Sequence, residues 1–264
     1  MSWCPWWLNF FLPHPRRRQK TETPKISSNF INDVIRPRWR LFRRGSGKGT
    51  LDCNLCGWHG GFLERGATPV ERHCPRCKSA NRHRAIAWYL GQSGLLKRGS
   101  AFLHAAPEPP LRRLISETIG SGYETCDLNR TDVDHRIDLQ TQIVAAQKFD
   151  VIMINHVLEH VPDDRAVLAN LRRMCKPGGI CIITVPMRPN GLPTDEDPTV
   201  TDPAERRRRF NQNDHLRLYG PDLRERIQEA GFTAKTITSD EMPAAMVSRH
   251  SLQGEMLFLA IAPG

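Results

Sequence analysis

The stretch FDVIMINHVLEHVPDDRAVLANLRRMCKPGGICIITVP, residues 149–186, decides the fold. Its first six residues, Phe149 to Ile154, are apolar apart from Asp150 and read as a buried strand. Asn155 to Val161 then forms a crossing. Pro162, Asp163 and Asp164 suit the first turn of a helix, where a missing N–H is harmless and negative charge is favoured. Val167, Leu168, Leu171 and Met174 recur at helical spacing and define one apolar face. The run Lys176-Pro177-Gly178-Gly179 is expected to stop that helix, and Ile180 to Val185 reads as the next strand. Strand, helix and strand in this order make a crossover unit of a parallel sheet.

The same alternation extends in both directions. Upstream, a helix is expected over Arg84–Gly91 and a strand over Ala101–Ala105. A turn at Pro107–Pro110 leads into a helix carrying Leu111, Leu114, Ile115 and Ile119. Tyr123–Asp127 reads as a strand ending in an acid, and residues 135–138 as a short third strand ending in Asp138. Downstream, Pro221–Ala230 reads as a helix closed by Gly231, with strands over Phe232–Ile237 and Met256–Ile261. The pattern predicts a doubly wound, mostly parallel α/β sheet of Rossmann-like type over residues 85–264.

Cys53-Asn-Leu-Cys56 and Cys74-Pro-Arg-Cys77 stand before this domain. Two such pairs let four sulfurs meet one ion, so Cys53, Cys56, Cys74 and Cys77 are read as a structural Zn2+ site with no open position, within a ribbon module at 51–84. Iron or a redox dithiol is the competing reading. His73 is the nearest substitute ligand, and His59 and His83 are read as surface residues. Cys4, Cys126, Cys175 and Cys181 are scattered and fit buried or tail positions.

The formal charge of +10 is unevenly spread. Residues 1–50 hold 11 of the 38 Lys and Arg but only Glu22 and Asp33 of the 28 acids, leaving the rest at +1. The segment is read as a basic, disordered extension; contact with nucleic acid is the sharper alternative and is not favoured. The cluster Trp3, Trp6, Trp7, Phe10, Phe11 is too short to span a bilayer and is not followed by a cleavage signal. No transmembrane segment is expected, and the cytoplasm is the default compartment.

Beyond these readings, the run 149–186, the tail helix before Ala230-Gly231-Phe232, the CxxC ribbon, the Ala106-Pro107-Glu108 turn and the late Asp214-His215-x-Arg217-x-Tyr219-Gly220 segment together resemble class I S-adenosylmethionine-dependent methyltransferases. The resemblance covers roughly residues 85–262 and implies a seven-stranded sheet and transfer of a methyl group to an acceptor left unnamed. It implies that Asp127, with Leu128, binds the ribose of S-adenosylmethionine, that Asp138 and Leu139 flank the adenine, and that Ala105, Ala106 and Glu108 line the amino-acid end. Asn155 and His156 would stand at the mouth, with His156 and His215 as candidate bases. The chain departs from the family at His104–Glu108, which replaces the usual glycine-rich loop, so a non-catalytic protein binding RNA or a partner through its zinc ribbon and basic tail is the alternative. The long segment Arg188–Tyr219 is expected to recognise the acceptor, and Arg206–Arg209 to form a solvated helix face.

Two further patterns carry less. His156-Val-Leu-Glu159-His160 fits an inverted zinc-protease pattern, but that chemistry needs one unbroken helix, which a preceding strand and Pro162 forbid. In Gly45–Thr50 the lysine, Lys48, is followed by Gly rather than the Ser or Thr of a phosphate loop and no strand precedes it, and no GxGxxG supports a nicotinamide enzyme. Oligomeric state leaves no mark in the sequence.

Overall fold

The computed structural model describes residues 50–65 and 71–264. The expectations for the basic N-terminal segment, Cys4 and the aromatic cluster lie outside the described residues. Four short strands come first: β1 (Leu51–Asp52) pairs with β2 (His59–Gly60), and β3 (Leu63–Arg65) pairs with β4 (Glu71–His73), both antiparallel. After α1 (Asn81–Ser93) come β5 (Phe102–Ala105), α2 (Pro109–Ile119), β6 (Tyr123–Asp127), β7 (His135–Arg136), β8 (Phe149–Asn155), α3 (Asp164–Met174) and β9 (Cys175–Thr184). The chain finishes with β10 (Asp195–Glu196), α4 (Pro203–Phe210), β11 (Arg217–Leu218), α5 (Leu223–Glu229), β12 (Thr233–Thr238), α6 (Ala244–His250) and β13 (Met256–Ile261).

Seven strands form one sheet in the order β7-β6-β5-β8-β9-β13-β12. All run parallel except β13, which is antiparallel to both neighbours. Strand order reverses between β5 and β8, the switch point where an open α/β sheet presents a crevice beyond its carboxyl ends. Each central strand is buried on both faces, as its apolar run requires. Phe102, Val151 and Met153 pack with Ile86 and Leu90 of α1 and Ile115 of α2. Leu103, Ile152 and Ile154 pack on the other face with Leu168 and Leu171 of α3 and Ile227 of α5.

Three boundaries differ from the sequence expectation. The Lys176–Gly179 run does not separate helix from strand. β9 already begins at Cys175, paired with Phe149, and a register irregularity absorbs the Pro-Gly-Gly before Ile180 pairs with Val151. β7 ends at Arg136, so Asp138 lies in the turn beyond it. α1 starts at Asn81, and Arg84, expected to open that helix, is fully buried inside it. Its guanidinium donates to the carbonyls of His250 (2.7 Å), Ser79 (2.8 Å) and Arg72 (3.0 Å) and to Asn81 Oδ1 (2.9 Å), and lies over the Phe62 ring. A buried cation with all three nitrogens engaged thus joins the cysteine module to α1 and α6.

Candidate functional site

The carboxyl ends of β5, β6 and β8 bring most of the expected cofactor residues together. Ala106 and His156 follow β5 and β8, and both take a left-handed backbone, φ +47° and +51°. Residues with a Cβ seldom adopt it, and such positions gather where a site imposes them. Ala106 N–H is held by the Cys126 carbonyl (2.8 Å) and His156 N–H by that of Thr184 (2.9 Å), so neighbouring strands fix both turns. Asp127 ends β6. Its Oδ1 accepts from the backbone N–H groups of Asn129 (2.8 Å) and Arg130 (2.9 Å), while Oδ2 has no hydrogen-bond donor among the described residues. Asp138 closes its own turn, accepting from Gln140 N–H (2.9 Å) and from the Gln140 amide. Leu139 is buried beside it.

The turn His104–Glu108 is held by side-chain contacts. His104 is buried; its Nε2 receives Glu108 N–H (3.4 Å), and its Nδ1 lies 2.9 Å from the Tyr123 hydroxyl. Burial pushes the His104 pKa down to about 3, so the ring is neutral and can accept. Glu108 is buried too. Oε1 meets His83 Nε2 (2.6 Å) and Arg82 Nη2 (3.2 Å), and Oε2 accepts from Asn155 Nδ2 (2.9 Å). Ala80 N–H donates to His83 Nδ1 (2.9 Å), which leaves the proton on Nε2 to point at Glu108. Asn155 also receives the Thr184 hydroxyl on its Oδ1 (3.1 Å). Both oxygens of Glu108 are therefore engaged within the chain. His83, expected at the surface, is buried as one of their partners.

His156 stands just past β8, its side chain 26% exposed, with Nδ1 3.2 Å from Glu159 Oε1. His215 comes to the same turn from the late segment but is buried, its Nδ1–H donating to the Phe210 carbonyl (2.8 Å). In that segment His215, Arg217, Leu218 and Tyr219 are all buried. Arg217 donates to the carbonyls of Leu158 (2.8 Å), Val161 (2.6 Å) and Pro162 (3.0 Å), and Tyr219 to Asp164 Oδ2 (2.6 Å). The acids of this segment pair internally: Asp195 and Asp197 with Arg209, Glu196 with Arg217 and Arg226. In the basic run, Arg207 and Arg208 are exposed while Arg209 turns to those acids. A groove lined by Gly94, Leu95, Asp150, Gly178 and Gly179 opens at the opposite, amino-terminal end of the strands and holds none of these residues.

Cys53, Cys56, Cys74 and Cys77 place their sulfurs within 4.8 Å of one another, with Cys53–Cys77 at 3.5 Å and Cys56–Cys74 at 3.6 Å. Zn–S bonds of about 2.3 Å in a tetrahedron set sulfurs about 3.8 Å apart, so the donor set fits that ion. The two knuckles share one hydrogen-bond pattern: Gly57 N–H donates to Cys53 O and Lys78 N–H to Cys74 O, both from left-handed residues. His73 is no substitute ligand, since Glu71 (2.7 Å) and the Lys78 carbonyl (3.4 Å) occupy its two nitrogens. The sequence reading gave Arg82 no role at the site, put His83 at the surface and gave Arg217 no individual role; an Arg-His pair at a helix start carries no periodic signal.

Residues 71–237 match the family model described as a methyltransferase domain. No curated protein matches the chain. Among solved structures, a chain from the Haloferax volcanii complex of the Trm112 methyltransferase activator is 18% identical, with a TM-score of 0.47, over 70% of this chain and 91% of that one. An S-adenosylmethionine-dependent methyltransferase from Mesorhizobium loti is 16% identical, with a TM-score of 0.48, over 67% of this chain and 97% of that one. With the family model spanning the second cysteine pair, the switch point and most of the sheet, the chain belongs to the methyltransferase domain family.

Proposed function

We propose that this protein transfers a methyl group from S-adenosylmethionine to an acceptor, in the crevice at the ends of β5, β6 and β8. The observation that carries the reading is Asp127: one oxygen braces its own turn, and the other stands open at the end of the second strand of the sheet's switch-point half. An open carboxylate oxygen there suits the ribose hydroxyls, with Leu128 alongside. Asp138 and Leu139 are assigned to the adenine. Ala105 and Ala106 bring backbone close to the amino-acid end, and Glu108 adds the negative field of a buried carboxylate while Asn155 holds it in place.

When bound, the cofactor supplies an electrophilic methyl on a sulfonium, whose C–S bond breaks as the acceptor's lone pair attacks in line. The chain has to align the acceptor and exclude water. His156, partly exposed at the mouth, is the residue we assign to take a proton from the acceptor; His215, the second candidate, is buried. The four thiolates are assigned a structural zinc. The family match favours this enzyme over a degenerate binding module. Among the described residues no helix is long and apolar enough to cross a membrane.

Calorimetric titration with S-adenosylhomocysteine tests the reading. Micromolar binding is expected, weakened about 10- to 100-fold in Asp127→Asn, since a hydrogen bond to a charged group contributes about 1.5–3 kcal/mol. A folded wild type that takes up no ligand would overturn the assignment.

A further inference from the structure

We propose that Glu159, His160 and His215 form the ligand set of a divalent transition-metal ion, distinct from the four thiolates and placed beside the mouth of the methyl-donor crevice. Each offers a donor atom, and the three lie within 4.8 Å of one another. Coordination bonds of about 2.0–2.2 Å hold donors roughly 3.0–3.5 Å apart, so small side-chain rotations would close the set.

The cluster is where the protein leaves polar groups unserved. Glu159 is fully buried, and neither carboxylate oxygen has a hydrogen bond; His156 Nδ1 is near but out of line. Nε2 of the buried His215 has no hydrogen bond either, and the adjacent Asp214 meets the cluster only through Oδ2, 3.4 Å from His160 Nδ1, an ion-pair distance rather than a hydrogen bond. Elsewhere among the described residues, buried side-chain polar atoms are satisfied. An unbonded buried carboxylate costs several kcal/mol, which a bound cation would reverse. The geometry supports that direction. Because His215 Nδ1–H donates to the Phe210 carbonyl, its lone pair is on Nε2, the arrangement by which outer partners orient a ligating histidine. Leu216 N–H donates to the Glu159 carbonyl (2.8 Å), so backbone holds the two ligand-bearing segments in register. The rings of His160 and His215 meet edge to face at 4.7 Å.

Two imidazoles and one carboxylate favour first-row transition ions over Mg2+ or Ca2+, and three protein donors leave at least one open position. The protease-like pattern at 156–160 thus contributes its Glu159 and His160, while the bend at His156 removes the first histidine. Lying just past β8, the ion would take an acceptor oxygen; that consequence rests on the methyl-transfer reading.

The test is Mn2+ titrated into the full chain reconstituted with a single zinc, read by electron paramagnetic resonance. Mn2+ is hard enough to leave thiolates alone. A single bound Mn2+ with hyperfine coupling to two imidazole nitrogens is expected. Glu159→Gln and His215→Gln should each weaken it by no less than the roughly 10- to 100-fold that losing a mere supporting partner costs, with circular dichroism unchanged, and Asp127→Asn should bind as the wild type does. No uptake, bound Mn2+ without nitrogen coupling, or equal binding in both folded variants would overturn the site. Neither cofactor nor acceptor is present, so Mn2+ uptake by a chain that fails to bind S-adenosylhomocysteine would sink the function alone.

Discussion

Glu108 shows how one buried carboxylate can organise a strand-end turn. Both of its oxygens are held by Arg82, His83 and Asn155, and its N–H is tied back to His104. Burial alone would raise the Glu108 carboxyl, but His83 and Arg82 hold it well below the carboxylate range. Glu71 behaves alike: burial is outweighed by His73 and Arg82, leaving it at about 2 from an ordinary 4.5. A folded-state pKa below the unfolded one contributes stability that is complete above the unfolded value and lost as pH falls through the folded one. The thermal midpoint should therefore drop as pH goes from 4.5 to about 2. Glu108→Gln should be less stable at neutral pH by about 3–5 kcal/mol, the usual effect of breaking a buried pair, with a shallower loss in acid. Unfolding scans across that range check it; an acid slope as steep as wild type would exclude Glu108 from the titration.

At the scale of elements, segment 214–220 and turn 156–164 are a single device. Arg217 ties three carbonyls of the turn, Tyr219 a fourth group, and Gly220 lies so close to the Leu192 carbonyl that a Cβ would overlap it. Lysine cannot reproduce the planar fork, so Arg217→Lys should strand at least one buried carbonyl. The expected cost is about 2–3 kcal/mol in urea unfolding. A cost near zero would mean the turn stands without it. This pairing also marks the limit of legibility in the sequence. Strands such as Phe149–Asn155 and Met256–Ile261 announce themselves because burial on both faces demands unbroken apolar runs. The place of Asp127 at a strand end is legible because Tyr123–Asp127 reads as a strand closed by an acid. Contacts between His160 and His215, or Arg82 and Glu108, join polar residues far apart in the chain. They follow no period, and only the completed topology brings them together.

Across the whole molecule, a line of hydrogen bonds runs from the cysteine knuckles to the switch point. The second knuckle ends at Ser79, whose carbonyl receives Arg84; Ala80 N–H fixes the His83 tautomer; Glu71 of β4 orients Arg82. Arg82 and His83 then hold Glu108, which holds Asn155, which receives Thr184. The start of α1 is thus set from one side by the cysteine module and used on the other to shape the crevice. If the thiolate-bound metal orders the knuckle, losing it should loosen Glu108 and weaken the cofactor. Cys77→Ser, which avoids a chelator that would strip both proposed metals, should bind S-adenosylhomocysteine about tenfold less tightly, within the usual coupling of about 1–3 kcal/mol. Arg82→Ala should weaken it comparably while keeping its zinc, because it cuts the same line beyond the metal. Calorimetry paired with zinc analysis separates the cases. A Cys77→Ser chain that has lost zinc yet binds like wild type would show the module to be a separate appendage. Weakening in Cys77→Ser but not in Arg82→Ala would place the coupling elsewhere, through Arg84 and α6 rather than through Glu108.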